Sequence, residues 1–133
     1  MKKVIGLLLT LLGLNIQMAC SQQTFDNADV KGFAELIQSA NIQLLDVRTA
    51  EEFAEGHLEG ALNVDINQET FLQDAKTVLE TEKPVAVYCR SGRRSAKAAE
   101  ILIREGFKVT NLEGGILAWT EEKMPVVSET QKP

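Results

Sequence analysis

Val85-Ala86-Val87-Tyr88-Cys89-Arg90-Ser91-Gly92-Arg93-Arg94-Ser95-Ala96 is the stretch that decides how this chain folds. Its first four residues form a compact apolar run of strand length without polar alternation, as a strand buried on both faces requires. Ala96, Ala99, Leu102 and Ile103 then recur at helical spacing, which predicts a helix over about 92–105 that Gly106 closes. Between strand and helix lies a tight loop holding one cysteine, one glycine and three arginines.

Outward from this unit the same alternation continues. Leu44-Leu45-Asp46-Val47 and Val109-Thr110-Asn111-Leu112 read as two more strands. Phe33, Leu36 and Ile37 predict a helix over about 29–39, and Phe71, Leu72, Ala75, Val78 and Leu79 another that ends before Pro84. Thr49-Ala50-Glu51-Glu52 matches a capping box, opening a short helix that Gly56 can end. A last helix is expected over 116–123, followed by Pro125, and residues 126–133 read as a frayed tail. Strands alternating with helices predict one α/β domain, a mainly parallel sheet with helices on both faces. Ligands of such sheets sit beyond the carboxyl ends of the strands, so Asp46-Val47-Arg48 and the loop Cys89 to Arg94 share the functional edge.

The 133 residues suit a single domain, and 44% hydrophobic with 25% charged residues fits a globular core. A formal charge of −5, with basic residues scattered except at 90–94, argues against a general nucleic-acid binder. Two cysteines 69 positions apart and one histidine, His57, offer no metal-site spacing, so neither metal nor other cofactor is expected.

The N-terminus reads as a separate module. Lys2 and Lys3 precede a weakly polar-to-apolar run from Val4 to Leu14, too short for a spanning helix of about 20 residues. Residues 1–19 are therefore expected to be an export signal, and 20–24 a tether before a domain over 25–126, with 127–133 flexible. Ala19-Cys20-Ser21 resembles the processing site of bacterial lipoproteins, although Gln17 and Met18 depart from the usual leucine-like and small residues. That resemblance implies a lipid on Cys20 and a membrane-anchored protein facing the periplasm or another extracytoplasmic space. The alternative is conventional cleavage that leaves Cys20 an ordinary free cysteine. With Cys20 lipidated, Cys89 is the domain's lone thiol and can form no internal disulfide.

The loop carries the chemistry. A turn between a buried strand and a helix directs backbone N–H groups inward, and the helix N-terminus adds partial positive charge. Arg90, Arg93 and Arg94 add more, and Gly92 allows the tight path. Each influence favours a nucleophilic thiolate at Cys89. The bland alternative, a cysteine buried as a small hydrophobe, fits poorly beside three arginines.

Val87-Tyr88-Cys89-Arg90-Ser91-Gly92-Arg93-Arg94-Ser95 resembles the active-site loop of rhodanese-type sulfurtransferases. Leu45-Asp46-Val47-Arg48 with Glu51-Glu52-Phe53, then Gly56-His57-Leu58-Glu59-Gly60-Ala61-Leu62-Asn63, is similar to one flanking motif of that family. Leu112-Glu113-Gly114-Gly115-Ile116-Leu117-Ala118-Trp119 is similar to the other. The resemblance implies that Cys89 takes a sulfur atom from thiosulfate, or a similar small anionic donor, as a persulfide. It passes the atom to cyanide or a thiol, a protein acceptor included. Arg90, Ser91, Gly92, Arg93 and Arg94 are the implied substrate-binding residues, with Arg90 and Arg93 guiding the anion and Arg94 closing the loop or sharing that task.

Two other readings stand beside it. One is a non-enzymatic module or persulfide carrier serving a protein partner. The other is a cysteine phosphatase, whose loop sets one more residue between cysteine and arginine than the four found here. Elsewhere the plainer interpretations are preferred: Asp46 and Arg48 as a structural ion pair or cap, His57 as a hydrogen-bonded structural histidine, Trp119 as core, and Glu113–Gly115 as a turn near the active edge.

Overall fold

The computed structural model describes residues 24–129, and Cys20 with the expected export signal lies outside them. In chain order the elements are β1 (Asp26–Ala28), α1 (Val30–Leu36), β2 (Gln43–Asp46), α2 (Ala50–Glu55) and β3 (Leu62–Asn63). There follow α3 (Phe71–Val78), β4 (Val85–Tyr88), α4 (Arg93–Arg104), β5 (Val109–Leu112) and α5 (Gly115–Glu121). The five strands form one sheet in the order β1-β5-β4-β2-β3, and every pairing is parallel.

β4, at the centre of the sheet, is apolar and buried throughout because both of its faces are covered. On one face Leu45, Val85, Val87 and Val109 meet Phe71 and Ala75 of α3 and Ala98, Ala99, Leu102 and Ile103 of α4. On the other, Leu44, Ala86, Tyr88 and Leu112 meet Val30 and Phe33 of α1 and Ile116 and Trp119 of α5. Each fully buried aliphatic or aromatic side chain contributes about 1.5–3 kcal/mol. Trp119 is core, as expected, set edge-on to Phe33 with ring centroids 6.3 Å apart.

The sheet thus has the expected architecture, with differences of detail. β1 and β3 were not anticipated, and α1 stops at Leu36 rather than 39. Val127 and Ser128, expected in the frayed tail, are also tied to the domain. Val127 exchanges two backbone hydrogen bonds with His57, each 2.8 Å, and Ser128 Oγ donates to the Ala54 carbonyl at 3.2 Å. These bonds satisfy backbone groups that a frayed end would leave to water.

Because all strands run the same way, their carboxyl ends gather at one edge. Asp46, Cys89 and the Glu113–Gly115 turn are brought together there.

Candidate active site

β4 decides where Cys89 points. Side chains alternate along a strand, so Val85, Val87 and Cys89 face α3 and α4 while Ala86 and Tyr88 face α1 and α5. Cys89 is fully buried. The expectation that neighbouring arginines would preclude burial is therefore corrected: the strand's alternation sets the sulfur at the end of a core row. Its surroundings are nonetheless polar. The Gly92 N–H donates to Sγ at 3.0 Å, and the Ser95 hydroxyl donates at 3.3 Å. Ser95, fully buried, was not singled out as part of the site from sequence.

The loop's path is set from outside. Gly92 has φ +102°, a left-handed value that suits glycine, and is the N-cap of α4. The Cys89 carbonyl accepts from the Ile116 N–H at 2.9 Å, and the Arg90 carbonyl accepts from the Leu117 N–H at 3.1 Å. These two donors belong to the first turn of α5, where helical N–H groups lack intrahelical partners. Gly115 makes this approach possible: a Cβ there would overlap the Arg90 carbonyl and lie 2.7 Å from the Cys89 oxygen. Since a trans peptide sets N–H opposite C=O, fixing these carbonyls on α5 turns the amides of Arg90 and Ser91 away from it. The Glu113–Gly115 turn does stand at the active edge.

The three arginines part company. Arg90 and Arg93 are exposed, as is Ser91. Arg94 instead forms a two-pronged ion pair with Glu52 of α2, Nη1 to Oε1 and Nη2 to Oε2, both 2.9 Å. The Arg94 hydrogen bonds, with help from Thr49, hold the Glu52 carboxyl down at about 2. The same carboxylate raises the Arg94 value, with the charge of Cys89 a smaller contributor. Glu52 also accepts from the Thr49 N–H at 3.0 Å, completing the capping box expected from sequence.

Asp46 and Arg48 form the structural ion pair expected of them. Arg48 Nη2 lies 2.7 Å from Asp46 Oδ2, donates to the Gly56 carbonyl at 2.6 Å, and the guanidinium sits 5.7 Å from the Tyr88 ring centroid. Burial alone would lower the Arg48 value, but the bonds and charge of Asp46 outweigh it and the net direction is upward. Burial first, then the Asp46 charge, pushes the Tyr88 phenol up, and its neutral hydroxyl accepts from the Leu58 N–H at 3.0 Å. His57 is structural: its Nδ1 bonds the Phe53 carbonyl at 2.8 Å and its ring stacks on Phe53. Among the described residues, no group of three His, Cys, Asp or Glu side chains could hold a metal ion.

Comparison with known proteins agrees with this geometry. Thiosulfate sulfurtransferase 18 of Arabidopsis thaliana is 38% identical over 120 residues, covering 80% of this chain and 87% of that protein. A protein named sulfurtransferase from Allochromatium vinosum is 33% identical over 94 residues, covering 70% and 85%. The crystal structure of a rhodanese-related protein from Thermoplasma volcanium superposes with a TM-score of 0.68 at 34% identity, covering 77% of this chain and 98% of that one. The family described as rhodanese-like domain matches residues 29–122, and with its parallel sheet and cysteine loop the chain belongs to that family.

Proposed function

We propose that this protein is a sulfurtransferase that carries a sulfur atom on Cys89, with thiosulfate or a similar small anion as donor and cyanide or a thiol as acceptor. In the first half-reaction the Cys89 thiolate attacks the outer sulfur of thiosulfate. A Cys89–sulfur bond forms, the bond to the sulfonate sulfur breaks, and sulfite leaves with the electron pair. In the second, cyanide or a thiolate attacks the outer persulfide sulfur. Thiocyanate or a new persulfide departs, and the Cys89 thiolate is restored.

The observation that carries this reading is the pair of donors on Sγ, Gly92 N–H and Ser95 Oγ–H, in a loop whose carbonyls are tied to α5. Such donors hold negative charge on Sγ both before attack and when it leaves in the second half-reaction. An added sulfur stands about 2 Å beyond Sγ, at the distance of a disulfide bond. The outward-turned Arg90 and Ser91 amides are the groups available to receive it. The names of the relatives support the same reading. The phosphatase alternative fares worse, because Arg94, the arginine it would use to grip a phosphate, is committed to Glu52.

The test is formation of thiocyanate and sulfite from thiosulfate and cyanide by the purified protein. Turnover is expected in the native chain and absent in Cys89→Ser; retained turnover in that variant would end the proposal. The proposal also anchors the domain outside the cytoplasm through a lipid on Cys20. Native protein should then fractionate with membranes and Cys20→Ala should not.

A further inference from the structure

We propose that Glu52 sets the anion selectivity of the Cys89 site by withholding Arg94 from it, so that inorganic oxyanions such as sulfate and phosphate are poorly retained. The planar fork of a guanidinium matches two oxygens of a carboxylate or of a tetrahedral oxyanion equally well. In Arg94 both prongs are already taken by Glu52, at 2.9 Å each.

Glu52 is itself hard to displace. Its Oε1 also receives the Thr49 N–H at 3.0 Å and the Thr49 hydroxyl at 3.2 Å, so the carboxylate is built into the start of α2. An incoming anion that took Arg94 would have to compete with a carboxylate fixed by two other contacts. The loop therefore offers Arg90 and Arg93 as open cations, both exposed, while the third arginine is neutralised.

The consequence follows from charge. The donor and the leaving sulfite of the proposed reaction are both dianions, and a third free guanidinium would hold the product as firmly as the donor. Two open cations suffice for steering without trapping sulfite, sulfate or phosphate over Cys89. The purpose assigned to Glu52 rests on the sulfur-transfer reading, but the binding claim does not.

The test measures protection of Cys89 from iodoacetamide by sodium sulfate and, separately, inorganic phosphate, at constant ionic strength. Alkylation of the full-length chain is read by mass spectrometry on the peptide that contains Cys89. In Glu52→Gln, whose amide can still cap α2, the half-protecting sulfate concentration should fall about tenfold, the scale of one charged hydrogen bond. The double variant Glu52→Gln with Arg94→Gln should return to the native value. Arg94→Gln alone leaves the Glu52 carboxylate unpaired and should weaken sulfate binding by less than the tenfold of a lost direct contact, which keeps the claim testable if Glu52→Gln does not fold. Unchanged protection in Glu52→Gln, a gain that survives in the double variant, or a tenfold loss in Arg94→Gln would each overturn the proposal. A chain that shows the expected shifts yet never forms a persulfide would sink the sulfur-transfer reading and leave the binding claim standing.

Discussion

The Asp46–Arg48 pair and the Glu52–Arg94 pair stand at the same edge of the sheet, one with side-chain exposures of 0% and 6%, the other with 28% and 29%. Both are short and charged, yet their surroundings assign them opposite tasks. Arg48 reaches inward to the Gly56 carbonyl and over the Tyr88 ring, joining β2, the end of α2 and β4 beneath the surface. Arg94 reaches outward from the first turn of α4 to α2, beside the loop that holds Cys89. The buried pair fixes the frame; the half-exposed pair adjusts what charge the mouth presents. Water decides the difference. A buried ion cannot be resolvated if its partner is lost, whereas an exposed one can.

The sharpest way to break this contrast is to remove one partner of the buried pair. Arg48→Ala leaves the Asp46 carboxylate uncompensated and should cost about 3–5 kcal/mol in a denaturant titration. A loss no larger than that of an exposed pair would erase the distinction. Next comes the backbone contact that fixes the loop independently of either pair. Gly115→Ala should cost about 1–3 kcal/mol from overlap with the Arg90 carbonyl. It should also lower sulfur transfer about 100-fold by displacing the loop amides. Transfer at the native rate would show that α5 does not position the loop.

Smaller still is Glu52→Gln, expected to cost about 1 kcal/mol or less by the same titration because the pair is partly solvated. A cost equal to that of Arg48→Ala would contradict the assignment. The smallest effect is in its pH dependence. The Glu52 carboxyl is held at about 2 against an ordinary value of 4.5. The stability it contributes is therefore complete above 4.5 and lost as pH falls through about 2. The stability difference between native protein and Glu52→Gln should be flat from neutral pH to about 5 and shrink only below that. A difference already gone at pH 5 would mean that Arg94 does not hold the carboxylate.

β4 was the most legible strand in sequence because burial on both faces demands an unbroken apolar run, as in Val85-Ala86-Val87-Tyr88. β1 and β3 were not. Asp26-Asn27-Ala28 and Leu62-Asn63 are short and partly polar, and each lies at an edge and pairs with one neighbour only. Their pairing comes from register with β5 and β2 rather than from any local pattern. At the site, Cys89 and Gly92 stood out because a loop between strand and helix imposes its geometry locally. Ser95 did not, since its approach to Sγ depends on how the left-handed turn at Gly92 aims the start of α4. Glu52 was read as a cap, which it is. Its grip on Arg94 spans 42 positions, and no spacing rule reaches across tertiary structure. The arginines looked alike in sequence; only packing separated the committed one from the two exposed ones.

The claim that Cys89 carries sulfur is tested most directly by mass spectrometry of the intact protein after incubation with thiosulfate and removal of excess donor. The native chain should gain the mass of one sulfur atom, lose it on addition of cyanide, and yield a Cys89 peptide bearing the modification, while Cys89→Ser gains nothing. A native chain that turns over substrate with no added sulfur on Cys89, or an equal gain in Cys89→Ser, would contradict it.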